Sequence, residues 1–322
     1  MHLPDGFLDA RTALLATGAA AGGVGIALRQ VRNSLEPRQM PMLGLAAAFV
    51  FAAQMLNFPV AWGTSGHLVG GVLTAVLLGP SAAVLVMTCV LMVQCLMFAD
   101  GGLMALGANV FNMGIVNVCS GYFVFRATRS LIRMEESRAT VFAAAFAGWF
   151  GTVLASISCA GQLALSKTVP WSLAFPAMAN VHMIIGVGEG LATGLVVMAV
   201  LRTRPQLVAG AREQGLAAGV GFMGYGLLLA LGLAVFVAPF ACAWPDGLEG
   251  VARAMGFASK AVPGPLPAPL ADYQLPFIGS ATAATGIAGV IGTVLAFVAA
   301  YALARALVPV LGTPKKDARS ET

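Results

Sequence analysis

The chain opens MHLPDGFLDA and contains only three histidines, His2, His67 and His182. One of them stands directly behind the initiating methionine. An unblocked Met-His terminus is a chelator by its covalent structure. The Met1 amine and the His2 amide nitrogen close a five-membered ring on an ion, and the same amide with His2 Nδ1 closes a six-membered ring. The peptide that links them is planar, so the three nitrogens lie nearly in one plane. A fourth nitrogen completes a square. Square-planar nitrogen sets suit nickel(II) and copper(II), whereas zinc prefers a tetrahedron and hard cations take oxygen. Binding to such a set depends on pH, because the amine, the imidazoles and especially the amide must lose protons.

His67, within NFPVAWGTSGHLVGG, is the candidate fourth donor. The apolar run behind it is short, so His67 is expected to open a short third helix, with the preceding loop dipping into the protein. Irregular backbone at membrane depth is tolerated only where protein or a cavity surrounds it. Thr64, Ser65 and Gly66 allow a tight turn there, and Pro4-Asp5-Gly6 is a turn signal that folds the terminus back beneath the first helix. His2 and His67 are therefore expected to meet. Asp5 is a candidate acceptor for a histidine N–H, or simply a turn residue. The blander readings are a solvated His2 on a frayed end and a His67 bonded to backbone at a helix start.

His182 and Glu189 are seven apart in one apolar run and share a helix face. Ionisable groups inside a membrane are costly and point to function. This pair marks either a translocation route or coupling element, or a polar lock between helices. Asn109, Asn112 and Gln94 carry the same two readings. The five cysteines, Cys89, Cys95, Cys119, Cys159 and Cys242, form no CxxC pair and read as small hydrophobes.

The elements that must position these groups follow from composition. The chain is 59% hydrophobic and 10% charged, with mean hydropathy +0.87, against about 25% charged in soluble domains. It reads as an all-α, polytopic integral membrane helix bundle. Apolar runs at roughly 10–27, 41–57, 67–79, 81–98, 103–125, 139–165, 174–201, 216–240 and 277–308 give about nine transmembrane helices, seven plus two. Of 18 Lys and Arg, all but Arg11, Lys167, Arg253 and Lys260 fall in alternate gaps: Arg29, Arg32 and Arg38; Arg126, Arg129, Arg133 and Arg138; Arg202, Arg204 and Arg212; Arg305, Lys315, Lys316 and Arg319. The positive-inside rule then puts the N-terminus outside and the C-terminus inside. The net charge of +5 faces anionic lipid and cytoplasmic partners, not nucleic acid. No signal peptide is expected, and Met1 is expected to stay, since its removal generally requires a small second residue.

Residues 1–214 read as a metal-binding membrane domain, and 215–322 as a two-helix module around an external segment, with RTRPQLVAGAREQ as the linker. In that segment PGPLPAP cannot be helical. PDGLEGVARAMGF reads as a turn and a short amphipathic helix with Leu248, Val251, Ala252 and Met255 on one face. TPKKDARSET is a solvated tail. No GxxxxGK[ST] occurs, so ATP binding by a P-loop is excluded and uphill transport needs another subunit.

With these residues in view, MHLPDGFLDA resembles the opening of the NikM/CbiM substrate-binding membrane components of energy-coupling factor transporters, which import nickel or cobalt. The resemblance runs through NFPVAWGTSGHLVGG, LLGPSAAVLVMTCVLMVQCLMFADGGLMALGANVFNMG and HMIIGVGEGLATG, over about residues 1–200. PDGLEGVARAMGF and DYQLP resemble the PDGLE-type NikN module. The resemblance implies Met1, His2 and His67 as metal ligands, a module that assists loading, a membrane coupling subunit (T component) and cytoplasmic ATPase subunits as partners, and the bacterial inner membrane as the location. Leu3-Pro4-Asp5 favours Ni2+ as substrate over Co2+, with Leu3 replacing the usual isoleucine. The rivals are the same machine for cobalt, a membrane-embedded metalloenzyme, and a metal sensor. The enzyme needs an open coordination position and a nearby acid or base, for which the outer side offers no convincing candidate.

Overall fold

Long apolar runs leave the backbone one way to satisfy its own polar groups, within helices. The computed structural model, which describes residues 1–208 and 220–307, is helical almost throughout. Among the described residues, nine helices fall on the nine apolar runs: α1 (Ala10–Ser34), α2 (Met40–Gln54), α3 (Gly71–Leu78), α4 (Pro80–Phe98), α5 (Leu106–Leu131), α6 (Glu136–Leu165), α7 (Trp171–Thr203), α8 (Gly221–Phe240) and, last, α10 (Ala281–Leu307). A short α9 (Gly247–Ala254) precedes the last of them. Seven of the described helices are long and apolar enough to cross a membrane, while α2 has 15 residues and α3 only 8. The linker from 209 to 214 with Arg212, the boundary at 214/215, the apolar residues 216–219 and the tail with Lys315, Lys316 and Arg319 lie outside the described residues.

One expectation about α3 is corrected. His67 does not open this helix. Phe58–Pro59 (β1) and Ser65–Gly66 (β2) form a two-residue antiparallel ladder, and α3 begins only at Gly71. Gly70 separates the two with a left-handed φ of 77°, a conformation that glycine adopts without a Cβ penalty. His67 is thereby kept in irregular backbone inside the protein, free of helical geometry.

Small residues let the helices approach closely. On α7, a Cβ at Gly190 would lie 2.6 Å from the Ala145 carbonyl oxygen of α6, so the α6–α7 hairpin packs backbone against backbone. The second half of the chain enters the same core. Gly292 of α10 faces the Phe51 ring of α2, and Phe51, Phe98 and Ala288 belong to one buried cluster. The PGPLPAP stretch is irregular as expected. α9 buries Leu248, Val251 and Ala252, whereas Met255, expected on the same face, ends the helix and is partly exposed. All five cysteines are free, with Cys119 exposed on α5.

The two ends of the bundle differ. At one end α1 starts beside the buried N-terminus; at the other, Arg29 and Arg32 lie with Leu307 of α10. Arg129 and Arg138 pair with Glu136 and Glu135 at the α5–α6 connection.

Candidate metal site

The terminus is folded inward and held at Met1, His2, Leu3, Asp5 and Phe7. Gly6 takes a φ of 91°, and a Cβ there would collide with the Lys260 carbonyl, so the turn at Asp5-Gly6 requires glycine. Asp5 does not reach an imidazole. Its carboxylate accepts instead from the backbone N–H groups of Leu103 (3.1 Å), Met104 (2.8 Å) and Ala105 (3.1 Å), anchoring the terminus to the α4–α5 loop. Asn109 grips Leu3 twice: Leu3 N donates to its Oδ1 (2.8 Å), and its Nδ2 donates to the Leu3 carbonyl (3.1 Å). Thr168 donates to the Phe7 carbonyl, and Asp9 caps α1 by accepting from Thr12 N. Met1 is consequently only 4% exposed.

The Met1 nitrogen lies 2.8 Å from His67 Nε2. The His2 and His67 rings stack at 5.2 Å between centroids, with planes inclined by 24°. His67 Nδ1 donates to the Leu68 carbonyl (2.8 Å), which leaves the Nε2 lone pair turned to the amine. His2 Nε2 donates to Gln94 Oε1 (3.2 Å); Gln94 donates to Gln54 (2.7 Å), and Gln54 to the Val69 carbonyl (2.7 Å). This chain ties His2 to the loop that carries His67. His2 Nδ1 faces the Asp100 carboxylate at 3.2 Å, and Tyr273 donates to the other Asp100 oxygen (2.7 Å). Donors bound about 2.0–2.1 Å from an ion and adjacent on a square lie about 2.8–3.0 Å apart. The Met1–His67 separation already has that value.

A carboxylate from the far half of the chain completes the cluster. Asp246 Oδ2 accepts from the Met1 ammonium at 2.5 Å and stands 3.9 Å from His67 Nε2. Ligand atoms of His2, His67 and Asp246 all lie within 4.8 Å of one another. Asp246 is set there by its role at the start of α9, where Oδ1 accepts from Glu249 N (2.8 Å), and by Ser65. The Ser65 hydroxyl donates to the Trp244 carbonyl (2.7 Å) and its N–H to the Pro245 carbonyl (2.8 Å). Ser65 thus acts by docking one loop on the other. Asp246, Asp100 and Gln54 were not among the residues singled out in the sequence; the only signal for Asp246 was the PDG turn, which says nothing about a partner 245 residues away.

Electrostatics favour neutral rings beside a charged pair. Burial, then the Met1 ammonium and His2, lowers the His67 pKa to about 3. Burial also lowers that of His2, against the pull of Asp100. Burial alone would raise Asp246, but the Met1 ammonium and His67 hold it well below the usual carboxylate range.

His182 and Glu189 do not pair with each other. Glu189 is fully buried and accepts from Val69 N (2.6 Å) and Gly70 N (2.9 Å), fixing the backbone just behind His67. His182 Nδ1 donates to the Met178 carbonyl (2.8 Å) within its own helix. The ring borders a cavity of about 10 Å³ shared with Met1, His67 and Thr152, room for about one water molecule. Asn112 bonds to Gln162 and Ser158 of α6, away from Met1, as an inter-helix link.

Residues 2–207 match the CbiM family, described as the cobalt uptake substrate-specific transmembrane region, and residues 220–308 match the PDGLE domain. A putative fused nickel transport protein NikMN of Archaeoglobus fulgidus is 38% identical over 309 residues, covering 95% of this chain and 98% of that protein. A putative cobalt transport protein CbiM of Methanococcus voltae is 32% identical over 214 residues, 64% of this chain and 94% of its own. A crystal structure of a truncated transition metal transporter superposes with a TM-score of 0.57 at 32% identity, over 63% of this chain and 99% of that one.

Proposed function

The chain belongs to the CbiM family, a multi-pass membrane protein of nickel or cobalt transport rather than an enzyme, and on that premise we propose that it is the substrate-binding subunit of an energy-coupling factor importer that captures nickel(II) from outside. The ion is held by the Met1 amine, the His2 amide nitrogen and Nδ1, and His67 Nε2. Residues 1–214 form the metal-binding domain and 215–322 the NikN-like module. The chain lies in the inner membrane with its N-terminus outside, and a coupling subunit and cytoplasmic ATPases drive uptake.

One observation carries this reading: a buried amine 2.8 Å from the unprotonated nitrogen of a neutral histidine, with His2 stacked beside it. To take an ion, His2 turns Nδ1 from Asp100 toward the amine, and its amide loses a proton. Four nitrogens, one an anionic amide, favour a planar d8 ion, which supports nickel. The fused relative named for nickel supports it too. Asp246 and Asp100 offer oxygen, and relatives named for cobalt support cobalt(II) as the second reading.

The test adds one glycine before Met1 and, separately, one after Thr322, and measures nickel binding to the purified chain by calorimetry. The N-terminal addition and His67→Ala are expected to weaken binding by at least about 100-fold, or about 2.7 kcal/mol. The C-terminal addition is expected to change nothing. Equal tolerance of all three moves the site elsewhere, and displacement of nickel by equimolar cobalt reverses the metal preference. Nickel uptake by cells carrying the chain with and without ATPase partners tests the transport role.

A further inference from the structure

The position of Asp246 is more specific than an ion pair with the terminus requires. Its Oδ2 lies 2.5 Å from the Met1 nitrogen and 3.9 Å from His67 Nε2, while those two nitrogens are 2.8 Å apart. The three separations describe a nearly right-angled triangle with the Met1 nitrogen at its corner. Donors bound about 2.0–2.1 Å from an ion lie about 2.8–3.0 Å apart when adjacent on a square and about 4.0–4.2 Å apart across it. The carboxylate oxygen therefore stands beside the amine and opposite His67.

In the planar chelate proposed above, that corner belongs to the His2 amide nitrogen. The amide is ring-linked to the amine on one side and to His2 Nδ1 on the other, which leaves His67 across from it. The amide holds its proton until a bound ion draws it off. An arriving cation thus meets two nitrogens and one carboxylate before either nitrogen of His2, the amide or the Nδ1 that faces Asp100, is available. Asp246 is built for this single-oxygen role, since Oδ1 is engaged by Glu249 N and only Oδ2 faces the amine. The turn that carries it is latched to the His67 loop by Ser65, and Gly247 packs so closely on Ile185 and His182 that a Cβ there would lie 2.7 Å from Ile185 Cδ1.

We infer that Asp246, supplied by the PDGLE module, is an entry ligand: it receives the divalent ion together with Met1 and His67, and then yields its corner to the His2 amide. This rests on the nitrogen-site reading and deepens it. In the entry step the Met1 ammonium gives one proton to water, and the ion bonds to the amine, to His67 Nε2 and to Asp246 Oδ2. In the exchange the carboxylate–metal bond and the amide N–H bond break, the amide nitrogen–metal bond forms and the proton leaves to water, while His2 Nδ1 turns from Asp100 and displaces a water that the ion carried in, taking the fourth position. No change of oxidation state occurs. The module thus acts in loading by contributing a donor atom.

The experiment mixes the full-length chain rapidly with nickel(II) alone. With Trp62, Trp149 and Trp171 replaced by phenylalanine in every chain compared, Trp244 fluorescence reports first contact, and the visible absorbance band of amide-coordinated planar nickel reports the finished site. In the chain with Asp246 intact the fluorescence phase is expected to precede the absorbance phase. Asp246→Asn keeps the helix cap, because asparagine caps as well as aspartate, and removes the anionic donor. It is expected to slow both phases by at least about tenfold, about 1.4 kcal/mol in the barrier, while the final spectrum and occupancy at saturating nickel are unchanged. Unaltered rates overturn the inference and leave Asp246 an anchor for the amine. Loss of the final band also overturns it, by making Asp246 a permanent ligand. His67→Ala and the N-terminal glycine extension serve as controls: if they keep the band, the nitrogen-site reading itself fails, whatever Asp246 does.

Discussion

The His67 loop, residues 57–70, and the outer segment, residues 241–280, reach the same amine from opposite halves of the chain and are fastened by different forces. The first is tied by polar bonds inside the bundle: Glu189 to Val69 and Gly70, and Gln54 to Val69. The second buries apolar anchors of its own, Leu248, Phe257, Leu270 and Leu275, and is latched at its start by bonds from Ser65 to the Trp244 and Pro245 carbonyls and from Cys242 N to the Asn57 carbonyl. Hydrogen bonds have direction and fix a group to a few tenths of an ångström, whereas apolar burial is non-directional and tolerates small shifts. In the proposed sequence of binding, the lasting donor His67 lies on the loop held by Glu189 and Gln54, and the transient donor Asp246 on the segment anchored by apolar burial and by Ser65.

Removing the buried carboxylate should break this contrast most severely. Glu189→Ala strands two buried amide donors, each at a cost of about 1–3 kcal/mol, and is expected to weaken nickel binding by at least about 100-fold in calorimetry, with Glu189→Gln in between. A variant that bound nickel normally would show that the His67 loop needs no such fixing. Loosening the other loop should do less. Leu248→Ala removes a fully buried side chain, a change that costs about 2–5 kcal/mol in a core. The outer segment is expected to become cleavable by added protease while nickel affinity falls by less than about tenfold, or about 1.4 kcal/mol. A loss as deep as that of Glu189→Ala would abolish the distinction.

The smallest effect is pH. The His67 pKa falls from 6.5 unfolded to about 3 folded, so between these values the unfolded state binds the extra proton. Stability then rises with pH across that window and is lost on acidification from about pH 6.5 toward 3. Hydrogen exchange in the metal-free chain should show the His67 loop opening in that range, with little change above it. A pH-independent loop would mean that the ring is not buried neutral.

Much of this was legible in the residues. Helix positions followed from apolar runs, and the meeting of His2 with His67 followed from their scarcity and shared side. Local chemistry also located the α9 helix, since a PDG turn supplies the cap and Leu248, Val251 and Ala252 follow at helical spacing. What escaped were pairings that only a finished tertiary structure decides. Asp5 could not be assigned three backbone donors a hundred residues away, and the seven-residue spacing of His182 and Glu189 could not reveal that each turns to a different neighbour. The late start of α3 hinged on one left-handed glycine in a row of two.

The burial of Met1 has a consequence for the life of the polypeptide. A formyl or acetyl group on that nitrogen would be enclosed with it, between His67 and Asp246, where no processing enzyme could reach. It would also cancel the positive charge that Asp246 accepts from and crowd the His67 ring. Under the proposed function, a blocking group left on this amine therefore costs both a donor and the contact that joins the two halves of the molecule.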